Sequence, residues 1–409
     1  MEALLAILAA LVEPLAIVGA IVVVETALVL LQSAVVFGRD RHRARRGGAP
    51  LSKSPVWRRV RLAIWIALGA SLLAIACLDR FWFEATVRWL LERGERKSGV
   101  AVEYRGVTGS LWTGELRFTG LRVRRAGDVP TRYEIGVENA LVDVSVIAAL
   151  TGRRHFDRIE LHSMRGDYER VKKPDPAALA SPFRVNELVA DGIDVVVRDQ
   201  VRTDLPFRAR LQLDELRIRP LRSEQIWFDA LFRGRAKGSI DGAAFEILTW
   251  ERVEGRETNW RITGLPALTA RAYLGPLGRL VRGGSLDLTV RGPWTVGEWI
   301  RVDTRWRCAF KDLEIGRERN DTPTALERKL GDFLSARAKD LTLEFALPVS
   351  EELFVGQVAF DALPIFAGLA SAIADKLGVG MQLDPNELRA FGEGAKEAWK
   401  RAFELWKRK

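Results

Sequence analysis

Two long apolar runs near the start of the chain constrain its fold more than any other feature. The first extends from Ala3 to Phe37 and contains only two acidic residues. The second, Val60–Leu78, has the length of about 20 residues that a helix needs to cross a bilayer. We therefore predict a short helix and a first span in residues 1–37 and a second span in residues 60–78. Leu73–Cys77 also loosely matches a lipoprotein processing site, which is the alternative to an uncleaved second span.

The loop between the two predicted spans, residues 38–59, sets their orientation. It carries eight lysines and arginines, and such loops face the cytoplasm. The second span then leads outward, so the rest of the chain is expected on the far side of the membrane. Aromatic side chains around this span have the pattern of an interfacial belt. The predicted membrane-anchoring residues are Trp57, Trp65, Phe81, Trp82 and Phe83.

The composition excludes several classes of function. Residues 1–78 contain nine basic and four acidic side chains, so half of the net charge of +10 falls in this segment. The remainder is close to balanced, and we do not expect binding to nucleic acid. Three histidines and two cysteines leave little for a metal or an iron–sulfur cofactor, and we predict neither. No phosphate-binding loop, zinc-protease helix or nucleophile elbow appears, so no catalytic residues are assigned and no enzymatic activity is expected.

From Val100 onward the apolar residues recur with a period of two, after a short helix predicted in residues 79–99. Alternation of this kind is typical of half-buried antiparallel strands. Residues 100–362 are therefore predicted to form a mainly β domain, as a curled antiparallel sheet. The clearest predicted strands are Gly106–Arg125, Arg158–Leu161, Ile193–Arg198, Arg210–Ile218, Ser285–Arg291 and Leu341–Leu347.

The end of the chain, residues 363–409, returns to a helical pattern. Asp384, Pro385 and Glu387 have the spacing of a helix start, and an amphipathic helix with a basic face is predicted after them. Such a helix could close one end of the β domain. An aromatic stripe opposite lysine and arginine also suits a membrane surface or a partner, and the sequence leaves both alternatives open.

The segment that begins with the second span resembles the AsmA-like family, which includes relatives of TamB and the bridge-like lipid transfer proteins. The resemblance is carried by RWLLERGERKSGVAVEYRGV (Arg88–Val107), GSLWTGELRFTGLRVRR (Gly109–Arg125), DRIELHSMRGDYERV (Asp157–Val171) and FRVNELVADGIDVVVRD (Phe183–Asp199). It covers about Arg58–Phe245. The chain departs from the family in its additional N-terminal span and its short length.

The resemblance implies a protein anchored in the bacterial inner membrane whose periplasmic sheet forms an apolar groove for lipid. The expected partners are the membrane and a phospholipid or other acyl lipid, with a further envelope protein or a second copy of the chain. Candidate lining positions are Ile193, Val195, Val197, Leu211, Leu213, Leu286, Leu288, Val290, Leu341, Leu343 and Phe345. Alternation alone fits equally well with residues that pack an ordinary closed core.

The function expected from the resemblance is binding or conduction of lipid across the periplasm for maintenance of the envelope and outer membrane. The alternative is a scaffold that transports nothing and holds an envelope or secretion-complex partner through its sheet edges. Lipid transfer predicts bound acyl chains and an open trough. A scaffold predicts a packed, lipid-free interior.

Overall fold

The computed structural model describes most of the chain from residue 83 to residue 355. The described ranges are 83–110, 113–145, 154–172, 182–201, 207–252, 255–271, 276–316 and 325–355, with isolated positions before residue 83 and at 148 and 372. The first predicted span, most of the second and nearly all of the C-terminal helical segment lie outside them. Within the described part of the chain, no helix is both long and apolar enough to cross a membrane.

The prediction of a mainly β protein is confirmed. The strands form one open sheet of 14 strands, and most neighbours in it are also neighbours in the chain. Every strand pair whose register the structure describes is antiparallel. The chain divides into two compact units, Met1–Arg124 with Asn139–Ile159, and Arg125–Glu138 with Glu160–Lys409.

The first unit contains one described helix and three short or medium strands. These are α1 (Phe83–Ser98), β1 (Ala101–Glu103), β2 (Gly106–Ser110) and β3 (Glu115–Arg125). Both β1 and β2 pair with β3. Val87 and Leu91 are buried on one face of α1, which packs against β1 and β2. The helix passes through Gly94 and ends before Gly99, whose φ of +67° suits a residue without a side chain.

Two strands run through both units, and the others belong to the second unit. The two shared strands are β4 (Thr131–Val144) and β5 (Arg154–Arg170). The second unit continues with β6 (Phe183–Asp199), β7 (Phe207–Ile218), β8 (Leu221–Arg222), β9 (Gly234–Ile240), β10 (Ala243–Arg252), β11 (Gly255–Pro266), β12 (Val281–Val296), β13 (Ile300–Ile315) and β14 (Asp340–Ser350). Its helices are α2 (Ile226–Phe232), α3 (Ala267–Ala270), α4 (Pro276–Leu280) and α5 (Ala325–Ala336), and a 3-10 turn follows β14 at Glu351–Phe354.

Strands of the second unit are longer than the sequence predicts, because bulges interrupt their alternation. In β6 the buried positions shift parity at Gly192, whose φ is +58°. In β7 the register to β9 shifts between Leu213 and Glu215. A bulge moves the following residues by one position, so that a single long strand has the pattern of two short ones. Further register shifts occur in β11 and β12.

Candidate functional site

The strand register collects the predicted lining residues on one face of the second unit. Directly opposed residues share a face of a sheet. One row of opposed residues crosses eight strands through Ile193, Leu213, Gly238, Phe245, Ile262, Leu288, Cys308 and Leu343. A second row runs through Ala190, Leu216, Ala236, Ile247, Trp260, Val290, Trp306 and Phe345. We call the surface formed by these two rows, together with the flanking positions on the same side, the apolar face. The flanking positions include the predicted residues Val195, Val197, Leu211, Leu286 and Leu341.

The bulges keep the two rows on the same face. The rows are two residues apart in β9 to β14, as in a regular strand. In β7 they are three apart, at Leu213 and Leu216, and the register shift between Leu213 and Glu215 accommodates the extra residue. The irregularity therefore extends the apolar face onto β6 and β7, where strict alternation would turn it toward the other side.

The eleven predicted lining positions differ in how far they are covered. Seven are buried: Ile193, Val195, Leu213, Leu286, Val290, Leu341 and Leu343. Four are half-buried: Val197, Leu211, Leu288 and Phe345. Val195 and Leu211 oppose each other across β6 and β7.

Short helices of the chain cover the apolar face over the last strands. Leu286, Leu341 and Leu343 belong to one buried cluster, to which α3, α4 and α5 contribute. The helical members of this cluster are Ala267, Ala270, Leu280, Phe333 and Leu334. The space above these predicted lining residues is therefore filled by side chains of the protein itself.

A second cluster is aromatic and was not predicted from the sequence. Phe232 of α2 lies 5.0 Å from Trp260, ring centre to ring centre, and Trp260 lies 5.5 Å from Trp306 in an edge-to-face arrangement. Trp306 stacks on Phe345 at 5.8 Å with an angle of 9° between the rings. These distances are those of favourable aromatic pairs. The 13 tryptophans of the sequence were the available signal.

The indole N–H groups of this aromatic cluster all have acceptors. Trp260 donates to the carbonyl oxygen of Leu231 at 2.9 Å, and Trp294 donates to Thr258 Oγ1 at 2.8 Å. Trp306 donates to Thr304 Oγ1 at 2.7 Å. Since each polar group is satisfied within the protein, the rings present apolar surface without a cost from unpaired donors.

The opposite face of the sheet is charged. Between the two apolar rows, outward positions form a row of Asp191, Glu215, Lys237, Glu246, Arg261, Thr289, Arg307 and Glu344. Ion pairs bridge neighbouring strands on this face, for example Arg210 with Asp194 at 2.6 Å and Arg217 with Glu187 at 2.6 Å. The sheet is thus apolar on one side and polar on the other.

The predicted membrane-anchoring residues fall mainly outside the described ranges. Trp57, Phe81 and Trp82 lie outside them. Phe83 begins α1 and is half-buried. Trp65 is a helical position whose side chain is 56% exposed, and Leu62 and Ile66 beside it are exposed as well.

Comparison with known proteins gives no assignment. A scan against protein-family models returns no match for this chain, and a search of curated proteins returns none either.

Proposed function

We propose that this is an AsmA-like protein, anchored in the bacterial inner membrane with most of its chain in the periplasm, that binds or conducts an acyl lipid along the apolar face. The observation that carries the proposal is the continuity of that face. Two rows of opposed residues cross eight strands without a charged side chain in either row. At about 4.8 Å between strands, each row extends over roughly 34 Å.

The physical basis is the free energy of hydrocarbon in water. Each CH₂ group that leaves water gains about 0.8 kcal/mol, so an apolar track lowers the cost of moving a lipid between membranes. No chemical step is needed for this, and the proposal includes no catalytic residue and no cofactor.

The half-buried lining positions are where an acyl chain is expected to contact the protein. Val197 and Leu211 are such positions on β6 and β7, beside the first row, and Leu288 and Phe345 are members of the rows on β12 and β14. The fully buried members support these positions from below and define the floor of the proposed groove.

Site-specific photo-crosslinking tests the proposal without disturbing the fold. We would place benzoylphenylalanine at Leu211 in the full-length protein and at Gln212, the adjacent residue on the opposite face, as the matched control. Crosslinking in cells with labelled phospholipid should give a lipid adduct at Leu211 and only background at Gln212. Equal labelling of the two positions, or none at Leu211 in a protein with an unchanged circular dichroism spectrum, would refute the groove.

The packed clusters favour a second candidate, the scaffold that transports nothing. Over β12 to β14 the predicted lining residues already contact the chain's own helices and aromatic rings. Lipid extraction of the detergent-purified full-length protein distinguishes the two. Stoichiometric phospholipid supports lipid binding, whereas a lipid-free protein that retains a partner protein in fixed proportion supports the scaffold.

A further inference from the structure

The turn between β12 and β13 exposes apolar side chains at its tip. Val296 is 78% exposed and Trp299 is 39% exposed, although both belong to the longest hairpin of the second unit. Val296 is opposed by Ile300, and the turn between them is Gly297-Glu298-Trp299. Exposing a valine and a tryptophan together at a tip is unfavourable in water, and such residues often mark a contact with a membrane or a protein.

The outer face of the same hairpin carries an unusual pair of like charges. Arg291 on β12 lies directly opposite Arg305 on β13, and both are exposed. Like charges in direct opposition destabilise a sheet. Within the part of the chain that the structure describes, neither arginine makes an ion pair or a side-chain hydrogen bond.

Neighbouring charged residues on this face lie next to oppositely charged residues other than Arg291 and Arg305. Arg307 lies 3.5 Å from Glu344, and Lys311 lies 2.7 Å from Asp287. Asp303, two residues before Arg305, is held by Arg301 at 2.9 Å. Glu246 on β10 faces Arg261 on β11, which is the strand next to that of Arg291. These four acidic groups are therefore each next to a cation outside the arginine pair. A fifth, Glu257, lies two residues before Asn259, which opposes Arg291, and has an interaction of its own within the protein.

We propose that the β12–β13 hairpin docks on an anionic lipid surface, with its tip in the interface and the arginine pair on lipid phosphates. Tryptophan is favoured at the level of the headgroups, and guanidinium groups bind phosphate oxygens through two parallel hydrogen bonds. Arg291 and Arg305 lie about 17 Å from the tip along their strands, so the hairpin contacts the surface on its charged side. A bilayer supplies the apolar layer and the negative charges that the hairpin lacks.

The arginine pair lies on the face opposite to the apolar face, whereas Val296 at the tip has the strand parity of the apolar face. The inference holds whether or not the apolar face carries lipid. Its test needs a membrane other than the one that holds the protein. Full-length protein in phosphatidylcholine nanodiscs would be mixed with vesicles of pure phosphatidylcholine or with vesicles containing about a third phosphatidylglycerol. Flotation then measures binding to the vesicles. We expect binding to the anionic vesicles that weakens as salt shortens the screening length below ~10 Å.

Two variants and one matched control identify the residues. R291Q/R305Q is expected to lose tenfold or more of the affinity for anionic vesicles, since each basic residue at such a surface contributes about fivefold. V296S/W299S should lose binding to a similar extent. R122Q/R124Q removes the same charge from exposed positions of β3 and should bind as the unchanged protein does.

The unfolding midpoint distinguishes a loss of vesicle binding from a loss of stability of the fold. Because R291Q/R305Q removes a repulsion, its midpoint should equal or exceed that of the unchanged protein. Equal binding to neutral and anionic vesicles, no vesicle binding at all, or equal losses in R122Q/R124Q and R291Q/R305Q would each overturn the proposal.

Discussion

Arg222 binds Asp229 through both its main chain and its side chain. Its backbone N–H donates to Asp229 Oδ2 at 2.8 Å, its Nε donates to the same oxygen at 2.9 Å, and Nη2 donates to Oδ1 at 2.6 Å. The Asp229 side chain has no solvent exposure, and burial raises the pKa of its carboxyl group. Arg222 also reaches Glu351 at 2.6 Å. One guanidinium therefore joins β8, α2 and the 3-10 turn after β14.

Replacing Arg222 with alanine is expected to destabilise the second unit strongly. It removes both guanidinium hydrogen bonds to buried Asp229, which among the described residues keeps only Arg233 as a cation, at 3.0 Å, and loss of one partner of a buried pair costs about 3–5 kcal/mol. The free energy of unfolding would be measured from urea titrations of the full-length protein. Arg210→Ala breaks the solvent-exposed pair with Asp194 and serves as the control, with an expected loss of about 0–1 kcal/mol. Equal losses in the two variants would contradict the assigned role of Arg222.

Gly238→Ala should destabilise the sheet, whereas Gly106→Ala should not. A Cβ atom at Gly238 would lie 2.0 Å from the backbone oxygen of Gln212 on the neighbouring strand. At Gly106, also in a strand, no atom lies within 4 Å of the added carbon. We expect a loss of about 2–3 kcal/mol at Gly238, measured as the shift of the urea midpoint. An unchanged midpoint would mean that β7 and β9 are farther apart than described.

Acid is expected to weaken the contact between β11, β12 and β13. The hydrogen bond from Lys311 Nζ, at 2.7 Å, and one from the Gly264 N–H hold the pKa of Asp287 below its usual value. Ionised Asp287 therefore stabilises the fold above about pH 4, and this contribution is lost as the pH falls through the lowered pKa. The unchanged protein should be more stable than D287N at neutral pH, and the difference should disappear in acid.

A titration of unfolding free energy from neutral pH to about pH 2 checks this. Lys311→Met removes the main cause of the shift, so it should reduce the pH dependence that Asp287 contributes. A difference between the unchanged protein and D287N that stays constant over the whole titration would contradict the role given to Asp287.

Cys308 is expected to resist alkylation in the folded protein. It lies in the first apolar row between Leu288 and Leu343, and burial raises the pKa of its thiol to about 12. At pH 8 about one thiol in ten thousand is then ionised, and maleimides react with the thiolate. In a C77S background, labelling should be slow until denaturant is added.

The adjacent position provides the control for the labelling. The triple variant C77S/C308A/A309C has its one thiol at position 309, on the opposite and partly exposed face of β13. This thiol should react quickly. Fast labelling of Cys308 in the folded protein would mean that the apolar face opens to solvent at this strand.

Alternation predicted the strands whose inner positions are strongly apolar. Ser285–Arg291 and Leu341–Leu347 lie within β12 and β14. The strand between them, β13, alternates as well, but its inner side includes Thr304 and Cys308, and it was not predicted. The full length of β6 was also missed, because its buried positions change parity at Gly192.

The sequence predicted which side chains share one face of the sheet, but not which segments of the chain cover that face. The strand register unites the residues that alternation selected, since opposed positions share a side of the sheet. Nothing in the alternation indicates what lies above them. α2 has seven residues, too few for a helical period to stand out, yet Phe228 and Phe232 of this helix belong to one buried cluster with Val290 and Trp306. The sequence pattern predicts each strand by itself, whereas the helices that cover the apolar face come from segments distant in the sequence.

The near-sequential strand order has a consequence for how such a chain can change length. Between β9 and β14 each strand pairs with the strand before it and the strand after it. A duplicated hairpin could therefore be inserted without rearranging any existing pair, as in repeat proteins, where each unit contacts only its neighbours. Each added hairpin would extend both apolar rows by about 10 Å. The reach of the face would thus increase in steps of one hairpin, and gene duplication could supply each step.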